Sequence, residues 1–391
     1  MSVLSVSPTH TGEWLAHPGF GVYVHIPFCR HRCHYCDFNT YEGQNELHAA
    51  YVDALVRDIE ACDLAGRPVT SIFFGGGTPT LLPVHHLGRV LNALVARFPV
   101  ARGAEVTIEA NPETVDEASF EGLLDAGFNR FSVGIQSLAP GVLARLGRRH
   151  SAVAAAAALR AARRAGVDNL NADLIYGSPW ESPEDWRSTL ESIVELGPEH
   201  LSAYALTIEE GTPLATLVAT GRAPDVDPDV QADRHDLAST LLSGAGYDRY
   251  EISNWARPGY ASAHNTLYWS AGDYAAFGAG AHGHVNGTRW WNLRLPRAFI
   301  AAVDQRNSTR AGEERLDASE RAGEALVLGL RLRRGIELAG FASRFGAARL
   351  RQRARVIAEL QARGLVELAD GHLRLSPGAT LIASDVTCRL L

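Results

Sequence analysis

The chain has 391 residues, of which 46% are hydrophobic and 21% are charged, and its net charge is −7 at pH 7. That length suits one large domain and one small domain. The acidic balance argues against electrostatic binding to nucleic acid or to an anionic membrane. No apolar run is long enough to cross a bilayer, and the N-terminus lacks the basic and apolar segments of a signal peptide. We therefore expect a soluble, cytoplasmic protein without a nucleic-acid partner.

The residue types narrow the chemistry further. All 37 basic side chains are arginine, and Met1 is the only methionine. No lysine is available to form a Schiff base, and no internal thioether can ligate a metal. Three of the five cysteines lie within eight residues, whereas Cys62 and Cys388 are far away. Clustered thiols in a cytosolic chain indicate metal or redox chemistry rather than a disulfide framework.

Residues 21–253 alternate short β-branched or aromatic runs with alanine- and leucine-rich stretches, the pattern of βα units around a parallel sheet. Six strands are predicted, at Val22–His25, Ser71–Phe74, Val106–Ala110, Phe131–Ile135, Leu170–Ile175 and Leu201–Ala205. A complete barrel of this type has eight strands. The sequence therefore predicts an α/β fold built on an incomplete, TIM-like (β/α)6 barrel.

The rest of the chain divides into three segments. Residues 1–20 form an N-terminal extension. Residues 254–317 break the βα pattern and hold four of the seven tryptophans, so we expect an aromatic-rich linker. Residues 318–391 contain helices followed by a hairpin with an Asp370-Gly371 turn, which predicts a small winged-helix-like α+β domain. The acidic charge favours a structural or partner-docking role for that domain over DNA binding.

Three cysteines, Cys29, Cys33 and Cys36, follow the first predicted strand directly. Their spacing lets one short loop bind three irons of a cuboidal [4Fe-4S] cluster while the fourth iron stays open. The alternative is a zinc site completed by His31 or His34, although structural zinc usually takes four ligands as two pairs. The spacing and the strand-loop context favour the cluster.

A glycine run and several polar side chains end the other predicted strands. Gly75, Gly76 and Gly77 close the second strand, where bare backbone allows a ligand to approach. Later strands end in polar residues, namely Glu109, Asn111, Gln136, Ser137, Asp173, Tyr204 and Thr207. Since the carboxyl ends of barrel strands face one active site, this pattern predicts a single cavity.

The cysteine spacing resembles the signature of the radical S-adenosylmethionine (SAM) superfamily, in which the open iron binds SAM and reduction of the sulfonium releases a 5′-deoxyadenosyl radical. The resemblance implies a [4Fe-4S] cluster on the three cysteines and SAM as the second cofactor. Carried over position by position, it implies a SAM site formed by Tyr23, Tyr35, Gly76, Gly77, Thr78, Glu109, Gln136, Arg148 and Asp173. The tyrosines would lie beside the cluster and the glycines with Thr78 at the methionine end.

Longer motifs, such as Tyr23–Cys29 and Gly75–Thr80, resemble the coproporphyrinogen oxidase-like branch of the superfamily. Two families share them: the oxygen-independent coproporphyrinogen III oxidases, called HemN, and the heme chaperones called HemW. The oxidase pattern has a fourth cysteine two residues after the third, where this chain has Phe38. Phe38 favours the HemW family, which implies heme as a ligand and an acceptor hemoprotein as a partner. A transient contact with a membrane hemoprotein stays open.

The segment His264–Trp269 is similar to a heme-associated motif of the HemW family, which implies that His264 ligates heme. Imidazole is a good axial ligand, and neighbouring rings can cover a porphyrin. A buried histidine in an aromatic core is the competing interpretation. His282 and His284 are alternative ligands.

The first functional hypothesis is therefore a heme chaperone that carries a cluster, SAM and heme. One alternative is radical oxidative decarboxylation of coproporphyrinogen III, which Phe38 disfavours. Another is a winged-helix regulator that senses redox state through its cluster, which the acidic charge disfavours. Whether the protein is an enzyme that cleaves SAM stays open.

Overall fold

A twelve-stranded mixed sheet organises the protein, whose computed structural model describes residues 11–64 and 66–391. The described residues form seventeen strands, of which twelve belong to this sheet, three to a second sheet and two to a third. They are β1 (Phe20–Ile26), β2 (Phe28–Cys29), β3 (Tyr41–Glu42), β4 (Val69–Gly76), β5 (Val100–Ala110), β6 (Arg130–Gln136), β7 (Leu170–Tyr176), β8 (His200–Ala205), β9 (Asp248–Arg249), β10 (Asn254–Ala256), β11 (Asp273–Phe277), β12 (His282–Val285), β13 (Thr288–Asn292), β14 (Arg310–Arg315), β15 (Ile336–Glu337), β16 (Val366–Ala369) and β17 (His372–Leu375).

The helices cover both the sheet and the C-terminal part of the chain. They are α1 (His48–Glu60), α2 (Val84–Arg97), α3 (Glu117–Ala126), α4 (Pro140–Leu146), α5 (Ala152–Arg164), α6 (Pro183–Leu196), α7 (Pro213–Ala219), α8 (Pro228–Gly244), α9 (Ala263–Trp269), α10 (Pro296–Asp304), α11 (Ala318–Gly329), α12 (Leu338–Phe345), α13 (Ala347–Ala362) and α14 (Ala383–Thr387). No helix of the described residues is long and apolar enough to cross a membrane.

The six predicted strands are present, in the order β1-β4-β5-β6-β7-β8, and each pairs in parallel with the next. Six of the seven residues of β1 are buried, as expected for a parallel strand covered on both faces. The main core lies between this sheet and the surrounding helices. All six strands therefore end at the same edge of the sheet, where the polar side chains were expected.

The segment predicted as a linker, residues 254–317, is instead part of the sheet. Strand β11 pairs in parallel with β1, and β12 to β14 continue antiparallel beyond it. On the other side, β10 pairs antiparallel with β8. Without these strands β1 and β8 would be edges with unpaired backbone groups, which explains why the chain returns to the sheet twice. Composition alone did not reveal these short strands.

The C-terminal domain consists of α11 to α14 and a small antiparallel sheet in the order β15-β17-β16. The predicted hairpin turn is present, with positive φ at Asp370 (52°) and Gly371 (76°), the combination that a tight two-residue turn requires. Trp14, 6% exposed, packs into this domain's core with its ring centroid 6.4 Å from that of Phe341. Part of the N-terminal extension therefore belongs to the C-terminal core.

Candidate functional site

The cysteine loop follows the carboxyl end of β1, and backbone hydrogen bonds join the two ends of the loop. Strand β2, which contains Cys29, pairs with β3, and the backbone N–H of Tyr41 donates to the carbonyl of Pro27 at 2.7 Å. Cys33 and Cys36 lie in the loop between these two short strands. All three cysteines line one cavity at this edge of the sheet.

His25 supports the cysteine loop from the sheet. Its Nε2 lies 3.0 Å from the carbonyl oxygen of Asn39, and its Nδ1 lies 3.0 Å from the hydroxyl of Tyr23. Burial lowers the pKa of His25 to about 4, so the ring is neutral at pH 7. The carbonyl can only accept, so Nε2 carries the proton and Nδ1 accepts from Tyr23. Tyr23 thus holds His25 and does not itself line the cavity.

The environment of the thiols suits a metal cluster that neutralises thiolates. The hydroxyl of Thr78 donates to Cys29 Sγ at 3.8 Å, and Arg148 Nη1 donates to Cys33 Sγ at 3.6 Å. Burial raises the pKa of Cys29 to about 11 and also raises that of Cys36. Thiolates here therefore require compensating positive charge, which bound iron supplies.

The two histidines considered for a zinc site have other partners. Arg149 donates to His31 Nδ1 at 3.0 Å, and the same nitrogen lies 3.2 Å from a carboxylate oxygen of Glu42. His34 Nδ1 lies 3.1 Å from the carbonyl of Arg145. The local geometry therefore offers three thiols and does not recruit a histidine as a fourth ligand.

The glycine loop after β4 is bonded directly to the start of the cysteine loop. The N–H of Gly77 donates to the carbonyl of Ile26, and the N–H of Thr78 donates to the carbonyl of Phe28, both at 2.8 Å. A Cβ on Gly77 would lie 2.5 Å from the Phe28 oxygen, so any larger residue would separate the loops. Gly76 has φ of +112°, a conformation that only glycine adopts readily.

Two buried carboxyl groups face the same cavity. Glu109 accepts from the N–H of Gly76 at 3.0 Å, and Asp173 accepts from Ser132 at 2.8 Å and from Asn171 at 2.7 Å. Burial first and the charge of the neighbouring Asp173 second raise the pKa of Glu109 to about 8. Burial raises the pKa of Asp173 as well. A cationic ligand would favour ionisation of both groups, so the cavity suits a positively charged molecule such as a sulfonium.

Arg148 links the strands on the other side of the cavity. Its Nη2 donates to Asn111 Oδ1 at 2.7 Å and to the carbonyl of Gly134 at 2.6 Å, and Asn111 donates to the Thr78 hydroxyl at 2.9 Å. Gln136 has φ of +66°, next to a register shift between β6 and β7. Non-glycine residues rarely adopt this conformation, and it commonly occurs at ligand sites.

Eleven of the thirteen predicted site residues line this cavity. They are Cys29, Cys33, Tyr35, Cys36, Gly76, Gly77, Thr78, Glu109, Gln136, Arg148 and Asp173. Tyr23 and His264 do not line it. The sequence predicted no role for His25, at the end of β1, or for Asn39, just after the third cysteine. Their function depends on a contact between two loops, which spacing along the chain does not reveal.

His264 lies in the protein core. It is 1% exposed, with Nδ1 2.9 Å from the Ser71 hydroxyl and Nε2 2.9 Å from the Tyr268 hydroxyl. Its ring centroid lies 5.3 Å from that of Phe73. An axial heme ligand needs a free ring nitrogen facing open space. Both ring nitrogens of His264 have protein partners, which favours the buried-histidine interpretation, and heme ligation by His264 stays a prediction.

The two alternative histidines lie on β12. His282 is exposed, and its ring stacks on that of Trp291 with centroids 6.2 Å apart. His284 is partly buried, with Nδ1 3.4 Å from a carboxylate oxygen of Asp273. Only His282 combines exposure with an adjacent aromatic ring.

Comparison with known families agrees with this site. Residues 23–193 match the Radical SAM superfamily, and residues 316–382 match the HemN C-terminal domain. The fold and the three-cysteine cavity thus define a radical SAM protein. The chain is 41% identical over 378 residues to the heme chaperone HemW of Mycobacterium tuberculosis, covering 95% of both chains. It is also 31% identical over 367 residues to HemW of Bacillus subtilis, covering 93% of this chain and 97% of the relative. The chain belongs to the HemW family.

A solved structure shares the whole fold. Coproporphyrinogen III oxidase (HemN) from Escherichia coli aligns with a TM-score of 0.82 over 97% of this chain and 91% of that chain. The sequence identity is 22%, so the likeness concerns the fold alone.

Superfamily membership implies a [4Fe-4S] cluster and SAM, and the residues present fit both. Cys29, Cys33 and Cys36 would hold the cluster, and Glu109 with Asp173 would face the positive charge of SAM. The cluster, when bound, supplies the electron that SAM chemistry requires. The chain itself presents the three thiols, donates hydrogen bonds to two of them from Arg148 and Thr78, and keeps the carboxyl groups in place.

Replacing any one of Cys29, Cys33 or Cys36 by Ala should abolish anaerobic reconstitution of about four irons per chain, because each thiolate holds one iron. Iron analysis and cluster absorbance measure this. The matched controls are Cys62→Ala and Cys388→Ala, which should reconstitute normally. A normal iron content in a variant of the first three would remove that cysteine from the ligand set.

Affinity for SAM should increase with pH through the titration of Glu109. Its pKa of about 8 means that the carboxyl group is mostly protonated at pH 7 and becomes anionic above pH 8. An anionic carboxylate attracts the sulfonium. Below the pKa of Glu109, each unit by which the pH rises should therefore lower the dissociation constant for SAM by up to about tenfold. Equilibrium dialysis of the cluster-loaded protein checks this. Glu109→Gln should flatten the pH profile, and an unchanged profile in that variant would rule out Glu109 as the titrating group.

Proposed function

We propose that this protein is a heme chaperone, which binds heme and transfers it to an acceptor hemoprotein, with a [4Fe-4S] cluster and SAM in the cysteine cavity. The observation that carries the proposal is the 41% identity to a heme chaperone over 95% of both chains. Relatives with the same name in Escherichia coli and Bacillus subtilis support it. The likeness to the oxidase HemN supports the shared fold only.

The cysteine cavity itself offers a supporting feature. Phe38 is 63% exposed and lines the cavity two residues after Cys36, where the oxidase pattern has a cysteine. Phe38 thus adds exposed apolar surface to this cavity. Heme is a flat, mostly apolar molecule, so Phe38 suits a chaperone that exposes heme for transfer.

We assign the heme ligand to His282. This histidine begins β12, which runs antiparallel to β11 and so starts at the same edge as the cysteine loop. The two regions are joined directly, because Asn39 Nδ2 donates to the carbonyls of Ala279 and Arg294, both at 3.0 Å. The exposed imidazole of His282 and the ring of Trp291 could ligate and cover one face of a porphyrin.

One experiment separates the chaperone from the oxidase. Anaerobically reconstituted protein receives heme in one sample, and coproporphyrinogen III, SAM and a reductant in another. Stoichiometric heme binding without vinyl products, followed by transfer of the heme to an apo-hemoprotein, supports the proposal. Catalytic formation of protoporphyrinogen would overturn it.

Replacement of the histidines distinguishes ligation from folding. His282→Ala should weaken heme binding by about tenfold or more while leaving the melting temperature unchanged, because this side chain is exposed. His264→Ala should lower the free energy of unfolding by about 1–3 kcal/mol, because it leaves Ser71 and Tyr268 without their buried partner. Heme titration and urea unfolding measure the two effects. Normal heme affinity in His282→Ala would move the ligand to another residue.

A further inference from the structure

A cavity of about 680 Å³ lies between α8 and β9 of the sheet domain and the C-terminal domain. None of its lining residues lines the cysteine cavity. Arg249 lies on β9, whereas Arg333 and Thr380 belong to the C-terminal part of the chain. The cavity therefore joins the two domains, and neither the cluster nor heme chemistry accounts for it.

Two of its arginines lack a carboxylate partner. Arg249 donates to His235 Nε2 at 3.1 Å and to the hydroxyl of Thr380 at 3.4 Å, and both acceptors are neutral. Arg333 is exposed, and among residues 11–64 and 66–391 its guanidinium has no hydrogen-bond or ion-pair partner. The pKa of Arg249 is lowered by burial first and by the charge of Arg333 second. The charges of Glu251 and Asp236 oppose the effect of Arg333 on Arg249, although neither carboxylate forms an ion pair with these two arginines.

The carboxylates around the cavity are occupied or solvated. Glu251 pairs with Arg331 at 3.3 Å, and Glu367 pairs with Arg374 at 3.0 Å. The side chain of Asp236 is 83% exposed. None of these three carboxylates forms an ion pair with Arg249 or Arg333.

Two buried donors on α8 also lack partners. Nε2 of His235 lies 3.1 Å from Arg249 Nη1, which can only donate, and 3.4 Å from the carbonyl oxygen of Ile252, which can only accept. Burial lowers the pKa of this histidine, so the ring is neutral, and the shorter contact with Arg249 favours the tautomer with its proton on Nδ1. That nitrogen is buried without a hydrogen bond, and the nearest carboxylate oxygen, of Asp236, is 3.7 Å away. Ser239, one helical turn further along, has a buried hydroxyl without a partner. His235 is 3% exposed.

We propose that this cavity binds a small oxyanion, a phosphate or carboxylate group, between Arg249 and Arg333, with His235 and Ser239 as neutral donors. Buried donors normally have partners, and unmatched ones mark a missing ligand or water. Guanidinium groups bind phosphate and carboxylate oxygens through paired hydrogen bonds. The anion would remove the repulsion between the two arginines and hold the C-terminal domain against the sheet.

The test uses the full-length, cluster-loaded protein and titrates inorganic phosphate at constant ionic strength, with succinate as the carboxylate arm. Calorimetry gives the dissociation constant and thermal unfolding gives the shift in Tm. We expect a saturable rise in Tm, and Arg333→Gln should weaken binding by about tenfold or more. The matched control is Arg355→Gln on α13, an exposed arginine paired with Glu359, which should respond like the wild type. A response to succinate alone assigns the site to carboxylates.

Ser239→Ala separates a ligand site from a structural role. Removing an unpartnered buried hydroxyl should leave the Tm without phosphate unchanged or slightly higher, while the phosphate-dependent rise becomes smaller. A loss of stability that is the same with and without phosphate would indicate that Ser239 binds structural water, and would overturn the proposal. The absence of any response to both anions, or an equal response in Arg333→Gln, would also overturn it.

Discussion

The backbone pairing of β1 with its two neighbours is the interaction on which the site depends. In this register His25 lies opposite Gly75 and Ile26 lies opposite Gly76. The hydrogen bond from Gly77 N–H to the Ile26 carbonyl then joins the glycine loop to the cysteine loop. A shift of one residue would turn His25 to the other face of the sheet and away from Asn39. Parallel pairing with β11 on the other side keeps β1 from being an edge strand.

The charge distribution follows from the same geometry. Because the parallel strands end at one edge, their terminal side chains enclose thiols, carboxyl groups and an arginine in a single cavity. Burial disfavours the charged forms of Glu109 and Cys29 and therefore raises the pKa of both groups in the free protein. A cationic ligand near the carboxyl groups and iron near the thiols would reverse both effects. Binding of the two cofactors would therefore change the protonation of these groups.

The return of the chain to the sheet after β10 connects the cysteine loop to the region assigned to heme. The side-chain amide of Asn39 donates to the backbone carbonyls of Ala279 and Arg294, while the backbone carbonyl of Asn39 accepts from His25. Gly280 permits this contact, since a Cβ there would lie 2.3 Å from Asn39 Nδ2. One side chain thus contacts both the cysteine loop and the start of the β11–β12 connection. A movement of the cysteine loop would therefore act on the start of β12 through Asn39.

The sequence by itself determined the features that depend on local spacing and periodicity. Cys29, Cys33 and Cys36 lie within one loop, the glycine run closes one strand, and the alternation of apolar runs predicted six parallel strands. These features require no knowledge of distant contacts, because each is set by neighbouring residues. The strand ends then converge because parallel strands share an edge.

Only the tertiary structure decided the features that depend on residues far apart in the chain. The segment 254–317 is a pair of sheet extensions because β1 and β8 need partners, which its aromatic composition did not reveal. His264, on α9, is buried against β4, where the hydroxyl of Ser71 lies 2.9 Å from its Nδ1. The arginine cavity likewise brings together Arg249 and Arg333 from two domains. Whether a side chain can reach a ligand depends on the residues that pack against it, and the sequence alone does not specify those long-range contacts.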